Sequence, residues 1–131
     1  MLQSEDQFVF PDKDGLLTTN SSHNCGNNKG MYQLKVVKKD ETPIADTPHK
    51  VDVRKLYDTE NAQAVHIKLE PGESLKKHIT PVDVFFYVLE GVGIVEIGDE
   101  KKQVTRDTLS DSPARIPHCW YNESDQTLRF L

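Results

Sequence analysis

Cysteine is scarce in this chain of 131 residues, which holds only Cys25 and Cys119. A single distant pair gives neither a disulfide framework nor a C-x-x-C metal or redox motif, so both read as unpaired thiols in a reducing, cytoplasmic setting. Long apolar runs are absent too. The longest, from Val84 to Leu89, falls far short of the roughly 20 residues of a membrane span, and the opening MLQSEDQFVF lacks the cationic start and apolar stretch of a secretory signal. A membrane partner is not expected. Basic charge is in deficit, with 16 Lys and Arg against 21 Asp and Glu and a net charge of −5. No basic stripe is available to neutralise a phosphate backbone, which argues against nucleic acid as a partner. Also missing are a glycine-rich phosphate loop, a G-x-S-x-G elbow and an H-E-x-x-H helix, so hydrolase and nucleotide-binding readings have no support. No internal repeat and no sustained 3.6-residue apolar period occurs.

What remains is a chain of one domain's length. Its first 50 residues are poorer in apolar side chains than the rest, which places the core in the C-terminal part. Residues 11–30, PDKDGLLTTNSSHNCGNNKG, offer too little burial to offset the entropy of ordering them. Residues 1–30 therefore read as a polar arm or tail and 31–131 as the folded domain. His23 and Cys25 in the arm are two lone ligand types, short of the three or four a metal site needs.

From Met31 onward, short runs rich in Val, Ile, Phe and Tyr alternate with Gly, Pro, Asn and Asp, the pattern of an all-β domain. Strands are expected over 31–37, 51–57, 64–69, 84–89, 92–97, 101–104, 116–122 and 127–131. Turns are expected at Asp58 to Asn61, Pro71-Gly72, Glu90-Gly91 and Gly98-Asp99. Many short strands at even spacing suit a sandwich or a closed barrel, between which periodicity does not choose.

The choice comes from PGESLKKHITPVDVFFYVLEGVGIVEIGDE and the later DSPARIPHCWYN, which resemble the two sequence motifs of the cupin superfamily. In the first motif Gly72, His78, Thr80, Val84 and Gly91 fall at the places of the family's Gly, two His, Glu and Gly. In the second, Pro113, Arg115, His118 and Asn122 fall at those of its Pro, Gly, His and Asn, with Arg106 or Asp107 near the opening Gly. The resemblance implies a double-stranded β-helix, or jelly-roll barrel, with a ligand pocket inside, and commonly a homodimer. Enzymes of the family hold Fe, Mn, Ni, Cu or Zn with three His and a Glu; here the resemblance implies His78 and His118 as metal ligands, with Thr80 and Val84 at the other two places. Asp83 is the nearest replacement carboxylate, one residue out of phase with the Glu position.

Strand alternation adds the pocket lining. If the Glu position points inward, Val84 and Phe86 do so too, as do His118, Trp120 and Asn122 on the later strand, with Thr80 beside His78. Two imidazoles, a hydroxyl, an amide and aromatic rings make a usual small-molecule site. His49 and His66 read more simply as core or surface residues held by one hydrogen bond. Three functions stay open: a barrel binding a small organic molecule, with or without a divalent transition metal, around His78 and His118; a metal-dependent enzyme of oxygenase or isomerase type; and a non-catalytic dimeric interaction module that uses the arm.

Overall fold

The computed structural model describes residues 9–11, 17–19 and 32–131. The chain divides into two units, Met1–Val36 and Val37–Leu131. Within the first, β1 (Val9–Pro11) pairs antiparallel with β2 (Leu17–Thr19). The remainder of the arm, with His23 and Cys25, lies outside the described residues. Among the described residues no helix is long and apolar enough to cross a membrane.

The second unit is built almost wholly of strands, with one 3-10 turn at Lys39–Glu41. Its strands are β3 (Asp52–Asp58), β4 (Gln63–Leu69), β5 (Ser74–His78), β6 (Val84–Glu90), β7 (Val92–Ile97), β8 (Glu100–Thr105), β9 (Leu109–Ser112), β10 (His118–Tyr121) and β11 (Leu128–Phe130). Every pairing is antiparallel, and two sheets result, ordered β5-β10-β7-β8 and β3-β4-β11-β6-β9. Two such sheets sharing one core form the expected jelly-roll barrel.

The burial pattern follows the side-chain alternation. On β6, Phe86 and Val88 are buried while Phe85 is 61% exposed, so one face meets the core and the other solvent. Facing them from the four-stranded sheet are Leu75, Val95, Val104 and Trp120. Trp120 stacks on Phe130 with ring centroids 4.1 Å apart, and Phe86 meets both rings edge-on. Gly93 permits this packing, since a Cβ there would press on Leu128 and on Cζ3 of Trp120.

The 31–37 strand does not form: residues 32–37 lie in no strand, and Tyr32, Leu34 and Val36 are 68%, 70% and 75% exposed. An apolar alternation makes a strand only where a neighbour accepts its backbone bonds and covers one face. Conversely, β5 and β9 arise from the polar stretches SLKKH and LSDS. The Asp58 to Asn61 turn is present, closed by Thr59 N–H on the Ala62 carbonyl at 2.9 Å.

His66 lies on the face of β4 opposite Ile67 and Leu69, away from the barrel interior, yet is 2% exposed. Arg129 Nη1 donates to its Nε2 at 3.0 Å. Burial, then the Arg129 guanidinium, push its pKa down to about 4. It is thus neutral in the fold.

Arg115, at the place the resemblance gives to a Gly, keeps the left-handed backbone with φ +67°, and so does Asp107, one of the two residues near the opening Gly, with φ +63°. Only glycine enters that region freely, whereas for other residues it costs roughly 1–2 kcal/mol. Asp107 tolerates it through a short polar side chain. Arg115 is exposed, and its amide donates to the Thr80 carbonyl at 2.9 Å, a bond that glycine would keep. Arg115→Gly should therefore stabilise the protein by about 0.5–1 kcal/mol after glycine's greater unfolded-state entropy is deducted, read as a raised midpoint in urea.

His66 sets a pH dependence. Its folded pKa of about 4 lies below the unfolded value of about 6.5, so the unfolded chain binds the proton first. The His66 contribution is complete above pH about 6.5 and declines as pH falls towards 4. Urea unfolding at pH 7 and pH 4 should differ by on the order of 3 kcal/mol from this group, and His66→Gln should remove that share of the slope.

Candidate functional site

His78 ends β5 and His118 opens β10, and the two are direct cross-strand partners although 40 residues apart in sequence. Antiparallel register puts such side chains on one face, and here the two Nε2 atoms lie 3.1 Å apart with the ring planes at 81°. His118 is 1% exposed and His78 half-buried. The pair thus runs from the core to the barrel rim.

The hydrogen-bond partners settle the proton positions for two neutral rings. His78 Nδ1 faces the Lys76 carbonyl at 3.0 Å; a carbonyl only accepts, so Nδ1 carries the proton and Nε2 a lone pair. His118 Nε2–H therefore donates to His78, and His118 Nδ1 accepts from the Ser112 hydroxyl at 2.9 Å. Ser112 is fully buried. Burial first, then the charges that His78 and His49 would carry, push the His118 pKa down to about 4, consistent with a neutral ring.

A third imidazole joins the row. The His49 ring lies 4.9 Å from that of His78, and its Nδ1 accepts the Lys76 N–H at 3.2 Å. Burial, then His78 and Lys76, lower its pKa. Sequence reasoning places neither His49 nor Ser112 in the site. His49 comes from the loop before β3 and stands outside either motif, while Ser112 stands immediately before Pro113 in the second, where its neutral hydroxyl gives no signal.

The other expected site residues are distributed unevenly. Val84 pairs with Ser112 and packs on the core, and Phe86 touches His118 with ring centroids 5.2 Å apart. The Thr80 hydroxyl donates to the Val82 carbonyl at 2.9 Å. Trp120 is wholly buried, and its Nε1–H has no partner among the described residues. With Cζ3 turned to Gly93, the opposite, Nε1-bearing edge of the indole points away from that residue. Asn122 is also wholly buried, but its amide closes a loop instead: Nδ2 donates to the Leu69 and Gln126 carbonyls at 2.8 and 2.7 Å, and Oδ1 accepts from Ser124. All four of its hydrogen-bonding positions are thereby filled.

A metal ion needs three or four fixed donors. The Nε2 separation suits two neighbouring ligands with bonds of about 2.0–2.1 Å, but Thr80 and Val84 supply neither an imidazole nor a carboxylate. Asp83 is engaged elsewhere, its Oδ1 accepting the Ala114 N–H at 2.8 Å. Among the described residues no group of three or more His, Cys, Asp or Glu is disposed to hold an ion. The residues present thus fit half of the family's ligand set and do not complete it.

Comparison with known proteins bears on the family and the fold. A family model described as a cupin domain matches residues 65–131. No curated protein matches the chain. Among solved structures, a predicted oxalate decarboxylase from Thermotoga maritima has a TM-score of 0.66 at 18% identity, covering 73% of this chain and 94% of its own. TT1209 from Thermus thermophilus has a TM-score of 0.64 at 24% identity over 75% and 93% of the two chains. KdgF from Halomonas sp. has 0.65 at 19% identity over 75% and 90%. At these identities the likeness concerns the fold, and the fold agrees with the sequence motif: the chain belongs to the cupin family.

Proposed function

We propose that this cupin binds a small organic molecule at the barrel end where His78 and His118 meet, with the imidazoles acting as hydrogen-bonding groups. The observation that carries the reading is the His118–His78 hydrogen bond, one ring buried in the core and the other half-buried at the rim. A ligand carbonyl or hydroxyl that replaced one ring in this bond would meet an N–H or a lone pair already aimed by Ser112 or Lys76. Phe86 and Val84 supply apolar wall, and the unpartnered Trp120 Nε1–H is a buried donor with capacity to spare. Such an orphan costs about 1–3 kcal/mol, which an accepting ligand atom or an ordered water would offset.

The spacing of the two Nε2 atoms favours a second reading, in which a divalent transition metal sits on His78 and His118 and exogenous ligands complete its shell. If bound, the ion would supply Lewis acidity. His118 would then have to move its proton to Nδ1 and turn Ser112 from donor into acceptor. The incomplete donor set makes this the weaker arrangement.

Elemental analysis of protein purified without chelators or added metals separates the two. The expected result is metal well below one equivalent, with no gain in thermal midpoint when Fe, Mn, Ni, Cu or Zn is added back; one equivalent, lost in His78→Ala, would replace the first reading by the second.

Trp120 is the chain's sole tryptophan and so reports on the barrel interior. Small carbonyl- and hydroxyl-bearing compounds screened by its emission should yield saturable ligands. His78→Ala, at a half-buried position, should leave the fold intact and raise the dissociation constant at least about tenfold, the effect of one lost hydrogen bond of the stronger kind. Unaltered binding in that variant would place the ligand elsewhere.

A further inference from the structure

The opposite end of the barrel carries a second feature. β6 and β7 run between the two ends, and where the first stops and the second starts lies a groove of about 550 Å³. That volume is within the range of small-ligand sites. Its lining includes Glu90, Thr105, Arg106, Gln126 and Arg129, together with Gly91 and Val92. Two guanidinium groups line the groove in a chain whose net charge is −5, Arg129 closely paired with the Glu90 carboxylate and Arg106 only loosely with that of Asp107, 3.9 Å away.

The two arginines are held differently. Arg129 Nε donates to Glu90 Oε1 at 2.6 Å and its Nη1 to His66 Nε2 at 3.0 Å. An arginine only donates, so His66 Nε2 accepts and its proton sits on Nδ1, which is buried with no partner among the described residues. The fold gains nothing visible from burying that donor. Its effect is on Arg129: a neutral acceptor fixes the guanidinium without cancelling its charge, as a second carboxylate would. Arg106 stands at the end of β8 with its side chain 73% exposed, and its one ion pair among the described residues is the long 3.9 Å contact with Asp107. One guanidinium is therefore fixed and the other is free to close.

From this arrangement we propose that the groove binds a small molecule through an oxyanion, a carboxylate or a phosphate, clamped between Arg106 and Arg129. Guanidinium forks match both oxyanions in geometry, and Thr105 and Gln126 add neutral hydrogen-bonding groups for the rest of the ligand. The groove is separate from the His78–His118 end and does not depend on what binds there.

Inorganic phosphate and succinate, titrated separately into the full chain and followed by amide chemical shifts, test the proposal. At least one should saturate, with the largest shifts at Gly91, Val92 and Arg106; saturation by phosphate alone identifies a phosphorylated ligand class, by succinate alone a carboxylate class, and by both a general oxyanion site. Arg106→Gln, at an exposed position, should weaken binding at least about tenfold with an unchanged thermal midpoint. Failure of both anions to saturate, unchanged affinity in Arg106→Gln, or shifts centred on His78 and His118 would each overturn it.

Discussion

The stack of Trp120 on Phe130, 4.1 Å between centroids and 17° from parallel, joins the two sheets, and the positions of the other groups follow from it. Trp120 belongs to β10, held between β5 and β7 in one sheet; Phe130 belongs to β11, held between β4 and β6 in the other. Aromatic pairs of this kind contribute more than their buried area alone. They also fix the strands that carry them. Because β10 is pinned through Trp120, His118 two residues earlier is delivered to the same end of the barrel as His78. The register shift between His118 and Trp120 adjusts its aim.

Around that anchor, hydrogen bonds between neutral groups hold the buried polar side chains. His118 is fully buried and neutral, and both of its nitrogens are engaged, one by Ser112 and one by His78. Removing charge from the interior avoids the several kcal/mol that an unpaired buried ion would cost. Asn122 acts by the same logic beside the β4–β5 turn: its backbone bonds to Gly72 and Glu73 and its amide to Leu69 and Gln126 lock two loops together. The Asn of the second motif is therefore a loop tie here, which its position in a strand alternation alone does not reveal.

Much of the barrel is legible in the sequence because its central strands carry large apolar residues at alternate positions, as β6 does with Phe86 and Val88. The strands that the sequence hides, β5 and β9, are edges of their sheets. Edge strands are commonly charged or polar, which discourages pairing with another chain and also removes the apolar signal. The opposite error at 31–37 has the complementary cause, since alternation of side chains says nothing about whether a pairing partner exists. Punctuation is more durable than residue type. Arg115, where the motif has a glycine, and Asp107, near the place of another, both adopt positive φ, so these turns form without the residue that makes them easy. His78 and His118 are legible through the motif, whereas His49 is not, because its approach to His78 depends on a loop that no spacing rule describes.

The two ends of the barrel differ in a way that bears on what each can recognise. At the His78 end Phe86 and Val84 supply apolar wall, His118 is neutral, and the Asp83 carboxylate holds a backbone amide. A charged group set against His118 itself, which is buried and neutral, would lose its hydration, so that inner position suits neutral, hydrogen-bonding groups. At the Arg129 end the guanidinium groups stay near solvent and keep their charge, so anions meet them at little desolvation cost. The same β6 and β7 connect both ends: Phe86 and Val95 fill the middle with close-packed apolar groups, and this plug of core separates the imidazole end from the end lined by arginines within a single small barrel.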